Sequence, residues 1–242
     1  MDRSDKTQAI VLKTTRYGDN SLIVKLLTRK NGLQSFMIKG AFNKTAKIRA
    51  ALFQPLTLLN IVSANSRGEL GYLKEAAVEY AYHDIPYNIN KNAITLFLCE
   101  LLSKAIQETE QDFSLFDFIH KSLTHLDESD GNNADFPLKF AVVLSHYLGF
   151  APNTSSFEQG FVFDLEEGVF RHDSASSAYY IDNQRSVLFY NLCNSEMFDD
   201  KSLNINNNER RQLLENVITY YKLHISGFNE IKSADVLKTV LS

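Results

Sequence analysis

The apolar positions of the chain change period near residue 80. Before that point they alternate or form short runs; after it they recur every three or four residues. Thr7 to Lys13 is a compact β-rich run. Leu22, Val24 and Leu26 alternate with Ile23, Lys25 and Leu27, and Leu33 to Lys39 follows Asn31-Gly32. Two β-rich runs around Asn-Gly predict a hairpin, because both residues accept positive φ. Gly40 to Ala51 is a polar, basic connection. Leu56 to Val62 reads as another strand, Asn65-Ser66-Arg67-Gly68 as a turn, and Leu70 to Val78 as a fifth strand. Five short strands without a long helix fit a small barrel; the OB-fold is the best-known five-stranded candidate, and an SH3-like barrel shares the pattern.

The remainder predicts helices. His83 to Asn90, with Pro86, reads as a linker. Ile94, Phe97, Leu98, Leu101, Leu102 and Ala105 recur at helical spacing, as do Phe116, Ile119, Leu123 and Leu126. Ser129-Asp130-Gly131-Asn132-Asn133 breaks the chain with turn formers. A third helix has Pro137 near its start and Gly149 just past its end. Leu214, Val217, Ile218, Tyr221 and Ile225 mark a late helix. Between them, Phe161-Val162-Phe163 and Val169-Phe170 flank a charged turn. A hairpin alone is marginal, so this one must dock on the helices.

Charge divides at the same place as the period. Residues 1–80 hold 13 Lys/Arg against 6 Asp/Glu, a net of +7; residues 81–242 hold 12 against 23, a net of −11. The overall −4 hides two opposite halves. A basic module can neutralise the phosphates of a nucleic acid and release counterions. No apolar run approaches the roughly 20 residues that span a bilayer. The start, Met1-Asp2-Arg3-Ser4-Asp5-Lys6, lacks the apolar segment of a signal peptide. Cys99 and Cys193 are the only cysteines, each in apolar surroundings, and read as a reduced pair in a cytoplasmic protein.

Motifs of chemistry are absent. There is no phosphate loop, dinucleotide fingerprint or Gly-x-Ser-x-Gly elbow. The cysteines are too far apart for a Cys-x-x-Cys pair. His120 and His125 are five apart on a helix and point in different directions; Glu108 and Glu110 do not face each other. No catalytic residue, cofactor or metal ligand is assigned, and an enzyme is disfavoured.

The sharpest local signal is the connection after the third strand. Lys39, Lys44, Lys47 and Arg49 fall within eleven residues with no acid among them, and Phe42 sits in their middle. The lysines are read as phosphate contacts. For Phe42, stacking on a base competes with burial in the core, and burial is the expectation. Arg16, Lys25, Arg29 and Lys30 add positive charge along the first hairpin, where basic residues also guard against edge pairing.

Several segments resemble one family. Ala9-Ile10-Val11-Leu12-Lys13, Tyr17-Gly18-Asp19, Leu26-Leu27-Thr28 with Asn31-Gly32, and Ile38-Lys39-Gly40-Ala41 look like the N-terminal barrel of the RecO recombination mediators. Leu52-Phe53-Gln54-Pro55-Leu56 resembles that family's next strand. Cys99-Glu100-Leu101-Leu102 resembles its Glu-Leu-Leu helix, and Phe140 to Gly149 with Phe150-Ala151-Pro152 its Leu-Gly-Tyr/Phe-x-Pro helix ending. The resemblance runs in order from about Thr7 to Leu237.

This resemblance implies an α+β protein: an N-terminal five-stranded OB-fold barrel over 1–80, then a mostly α-helical domain over 81–242. A small β-hairpin insert, a degenerate zinc ribbon, falls at about 153–182. It implies binding to single- and double-stranded DNA, annealing of complementary strands, and loading of recombinase onto DNA coated by single-stranded DNA-binding protein, with RecR as partner. Many relatives carry two Cys-x-x-Cys pairs around the hairpin; here Phe157-Glu158-Gln159-Gly160 and Arg171-His172-Asp173 stand instead, so no zinc is expected. In its place Phe161, Phe163, Val169 and Phe170 are expected to pin the hairpin by burial. The DNA-binding candidates are Lys39, Lys44, Lys47, Arg49, Arg16 and Lys25. The resemblance also implies a site for the acidic C-terminal tail of single-stranded DNA-binding protein. It needs an apolar pocket beside a cation, with Lys139, Lys104 and Lys121 as candidates. The alternative function is an OB-fold adaptor that binds RNA or protein without annealing.

Overall fold

Strand β1 (Ser4–Tyr17) hairpins into β2 (Ser21–Thr28), which pairs with β3 (Gly32–Ile38). A computed structural model describes residues 4–64, 70–107, 110–131, 133–172, 178–199 and 201–240. The turn expected at 65–68 lies outside the described residues, as do Glu108, Asn132 and Asp173. Strand β4 (Leu58–Ala64) runs antiparallel to β1 and to β5 (Leu70–Tyr80), and β5 runs parallel to β3. The order β1-β2-β3-β5-β4 closes into a barrel. Closure through a parallel β3–β5 seam is an OB-fold and decides between the two barrel candidates.

Alternation builds the barrel core. Leu22, Val24 and Leu26 of β2 face inward and meet Val11, Phe36, Leu59 and Ile61. At the β2–β3 turn only Gly32 uses positive φ, at +62°, not both residues of Asn31-Gly32. Thr28 replaces the second: its hydroxyl accepts the Asn31 N–H and donates to the Gly32 carbonyl.

Helices α1 (Ile89–Ala105), α2 (Phe113–Glu128), α3 (Phe136–Tyr147), α4 (Asn183–Cys193), α5 (Asn207–His224) and α6 (Ser233–Val240) follow. Pro137 occupies the first turn of α3, and Gly149 lies just beyond its end. The insert is a three-stranded sheet: β6 (Val162–Asp164) sits between β7 (Val169–Arg171) and β8 (Tyr180–Ile181). Periodicity missed α4, because apolar residues encircle it, and also the short α6.

The chain divides into two compact units. One is Met1–Asn88 with Leu98–Glu128, the other Ile89–Phe97 with Ser129–Ser242. Helix α2 thus belongs with the barrel. Asp117 on α2 takes both forks of the Arg29 guanidinium, at 2.8 and 3.0 Å, and the same guanidinium lies 5.2 Å from the Phe113 ring centroid. His120 Nε2 lies 3.0 Å from Glu79 at the end of β5.

Candidate nucleic-acid interface

Register brings four strand termini to one end of the barrel. Arg16 lies opposite Leu22, Leu22 opposite Ile38, and Met37 opposite Tyr72. The end of β1, the start of β2, the end of β3 and the start of β5 are therefore neighbours. Two cations there rest on rings. The Arg16 guanidinium lies 5.0 Å from the centroid of Phe42 and donates to the Asp19 carbonyl. Lys39 Nζ lies 5.4 Å from the centroid of Tyr72. Both cations and both rings are exposed. A cation over a ring is held in place without losing its water-facing side.

The loop that follows is shaped from inside. Ala41 and Ile48 are buried in the barrel core with Phe53, and the Ala50 N–H donates to the Ala41 carbonyl at 3.0 Å. Between these anchors Asn43 and Ala46 donate back to the Gly40 and Asn43 carbonyls, forming successive tight turns. Lys44, Lys47 and Arg49 project to solvent. The expectation that Phe42 is buried is corrected: it is 45% exposed. Its neighbours Ala41 and Ile48 fill the core position, and its ring is taken by Arg16 instead.

The remaining barrel cations divide. Lys25 is half-buried and sits three residues further along β2, opposite Lys13 and Ser35, outside the end cluster. Arg29 is committed to Asp117, and Lys30 lies 3.5 Å from Asp5. Lys47 faces an acid that its own loop lacks: Nζ is 3.7 Å from Glu75 of β5. Tyr72 was not singled out by the sequence, and Tyr17, 55% exposed at the end of β1, only within the family resemblance. The signal for Tyr72 was present, since it shares the exposed face of β5 with Lys74 two residues on.

In the second unit Lys139 is buried, with Nζ donating to the carbonyls of Asp199 at 2.7 Å and Lys201 at 3.0 Å. Lys104 and Lys121 fall instead in the first unit, with the barrel: Lys104 pairs with Glu100 one turn away on α1, and Lys121 is exposed on α2. A small recess lies elsewhere: Ala134, Pro137, Leu138, Leu214 and Leu237 line it together with Asn207, Arg210, Arg211 and Lys238. Arg210 is anchored by Asp135, whose carboxylate also accepts the Leu203 N–H.

The insert is held by rings. Phe157, where a first cysteine pair would begin, stacks on Tyr190 with centroids 4.0 Å apart and meets Phe170 edge-on. Phe163 and Phe170 are buried, and Phe163 also meets Phe189 and Tyr220. Phe161 and Val169, expected to be buried with them, are only half-covered: Val169, opposite Asp164, lies on the other face of the small sheet from Phe163 and Phe170, and Phe161 precedes β6. His172 is exposed and packs edge-on to Phe161. Among the described residues no three His, Cys, Asp or Glu side chains gather as metal ligands. The residues present do not fit a zinc ribbon. Burial pushes both thiols up, Cys99 to about 11 and Cys193 further, so both stay protonated near neutrality.

Among the described residues no helix is long and apolar enough to cross a membrane. Family models described as Recombination protein O N terminal and Recombination protein O C terminal match residues 1–82 and 86–233. The chain is 35% identical over 239 residues to the DNA repair protein RecO of Flavobacterium psychrophilum, covering 98% of this chain and 99% of that one. It is 36% identical over 237 residues to the DNA repair protein RecO of Christiangramia forsetii, at 97% and 98% coverage.

Proposed function

The chain belongs to the RecO family of DNA repair proteins, and from that premise we propose that it is a non-enzymatic recombination mediator. Its barrel binds single- and double-stranded DNA, anneals complementary strands, and helps load recombinase on coated single strands, in the cytoplasm and with RecR. The observation that carries this reading is the exposed cluster of Arg16, Lys39, Lys44, Lys47 and Arg49, four of them on one loop held open by buried Ala41 and Ile48. Two single strands repel. Cations that neutralise both lower the repulsion until pairing can nucleate, and no covalent step is required. Residues 1–80 are the proposed DNA-binding part and 81–242 the proposed partner-binding part.

Annealing of two complementary oligonucleotides without nucleotide or metal tests this. Acceleration is expected, and its loss when Lys39, Lys44, Lys47 and Arg49 are reversed to Glu. A wild-type protein that binds single strands but does not accelerate pairing would favour the adaptor instead.

For the acidic tail of single-stranded DNA-binding protein, Lys139 is spent on two backbone carbonyls, so we place the docking site at the recess between α3, α5 and α6. Its apolar lining suits a terminal hydrophobic side chain, and Arg211 and Lys238 lie beside it, where a peptide carboxylate would share Lys238 with Glu215, 2.8 Å away. Calorimetry with a tail peptide should show binding that Leu214→Glu abolishes; binding indifferent to that change would move the site elsewhere.

A further inference from the structure

Of the exposed rings at the charged barrel end, Tyr72 and Phe42 each carry a cation, and phosphate binding does not explain them. Tyr72 is 44% exposed and Phe42 45%, and neither packs against another ring among the described residues. Large apolar faces left in water are informative when they gather rather than scatter. These gather: Tyr72 is opposite Met37, two residues before Lys39, while Phe42 is three residues after Lys39. Each carries a cation at 5.0–5.4 Å from its centroid. Folding alone does not require this pairing, since the core positions beside Phe42 are already filled by Ala41 and Ile48.

We propose that Tyr72 and Phe42 form a stacking surface for unpaired bases, with Lys39 and Arg16 taking the adjoining phosphates, so that the barrel end prefers single-stranded DNA. The proposal rests on the DNA-binding reading above and sharpens it. A nucleotide offers an anion and an apolar ring some ångströms apart, and each cation–ring pair offers the complement of both. In a duplex the base faces are covered by their neighbours, so only the phosphates can be engaged. A single strand engages both. Stacking is tolerant of sequence, because every base has a face, which suits a surface that must accept any strand. During annealing the preference also acts as a release device: once bases pair, they leave the rings and only the salt-sensitive contacts remain.

The test compares a labelled oligodeoxythymidylate, an abasic strand of equal length and a duplex, each titrated at several salt concentrations. Tyr72→Ala and Phe42→Ala should each weaken thymidylate binding by about five- to a hundredfold, leave abasic and duplex binding unchanged, and leave the salt slope unchanged. Tyr72→Phe should bind as wild type, and Tyr72→Leu should not. The chain has no tryptophan, so Tyr72→Trp supplies a single reporter, quenched by thymidylate and not by the abasic strand. Unaltered thymidylate affinity in both alanine variants would overturn the stacking surface. So would an equal loss on thymidylate and abasic strands, which would mean that the rings only position the cations. Failure of the wild type to bind any of the three at low salt would overturn the DNA-binding reading with it.

Discussion

One carboxylate oxygen of Asp127 accepts the backbone N–H of Ile85 at 2.9 Å. The same side chain accepts the N–H groups of Asp84 and His83 and the hydroxyl of Tyr80. Three consecutive amides, just after the barrel's last strand, are thus tied to the last turn of α2. Asp127 is 3% exposed and the Ile85 amide is buried with it, while the His83 and Asp84 amides are partly buried. This one residue fixes where the chain goes when it leaves the barrel.

Asp127→Ala should therefore cost on the order of 3 kcal/mol, because it removes the charged acceptor of three backbone N–H groups, the buried Ile85 amide among them. Burial alone would raise the Asp127 carboxyl, but the three N–H bonds and the tyrosine hydroxyl outweigh it and hold it below its ordinary value of 3.8. A depressed folded-state value gives stability that is present above the unfolded value and lost as pH falls through the folded one. The wild type should lose more stability than Asp127→Asn between neutral pH and the region below about pH 4. Chemical denaturation at each pH measures it, and parallel losses would refute the linkage.

Gly168 approaches Tyr220 so closely that a Cβ there would lie 2.8 Å from the tyrosine hydroxyl, which itself donates to the Phe150 carbonyl at 2.7 Å. Its φ is +68°. Gly168→Ala should destabilise by about 2 kcal/mol, from left-handed strain and the displaced hydroxyl together. The double variant with Tyr220→Phe should recover the part due to contact but not the part due to strain. Thermal unfolding of the two variants separates them.

If Lys47 meets phosphate as proposed, Glu75, 3.7 Å away, competes for it. Removing its charge leaves that ammonium to phosphate alone, and the side chains are exposed enough for the change to leave folding untouched. Glu75→Gln should tighten single-strand binding by about two- to fivefold at low salt and steepen the salt slope, by less than one full contact. An unchanged titration would show that Lys47 does not meet phosphate.

The insert should resist chelation and depend on its rings. Phe163→Ala should cost about 3–5 kcal/mol, since the side chain is fully buried among Phe170, Phe189 and Tyr220. Chelator should leave the unfolding transition of untagged protein where it was, and elemental analysis should find no stoichiometric zinc. A chelator-induced drop would reject the replacement of metal by aromatic packing.

Strand β2 and helices α2 and α5 were legible in the chain because each buries one face, and a buried face repeats with the period of its element; β5, which buries no residue fully, and α3, buried all round from Phe136 to Val142, were legible from their apolar content and the turn and cap residues beside them. The turn at Gly32 and the punctuation of α3 by Pro137 and Gly149 were legible for the same local reason: they depend on φ and on missing donors, not on distant partners. The charge split was legible because charge is a count. What each cation does was not. Lys139 lies beside an apolar stripe in the sequence, yet its ammonium is satisfied by carbonyls sixty and more residues away. Lys39 and Arg16 come to one end of the barrel only when its closure brings the ends of β1 and β3 and the start of β5 together, and Phe42 reaches solvent only because Ala41 and Ile48 reach the core first. Backbone periodicity is a local property, and the chain carries it residue by residue. The partner of a long, flexible, charged side chain is set by whichever distant segment folds against it, and that is known only in three dimensions.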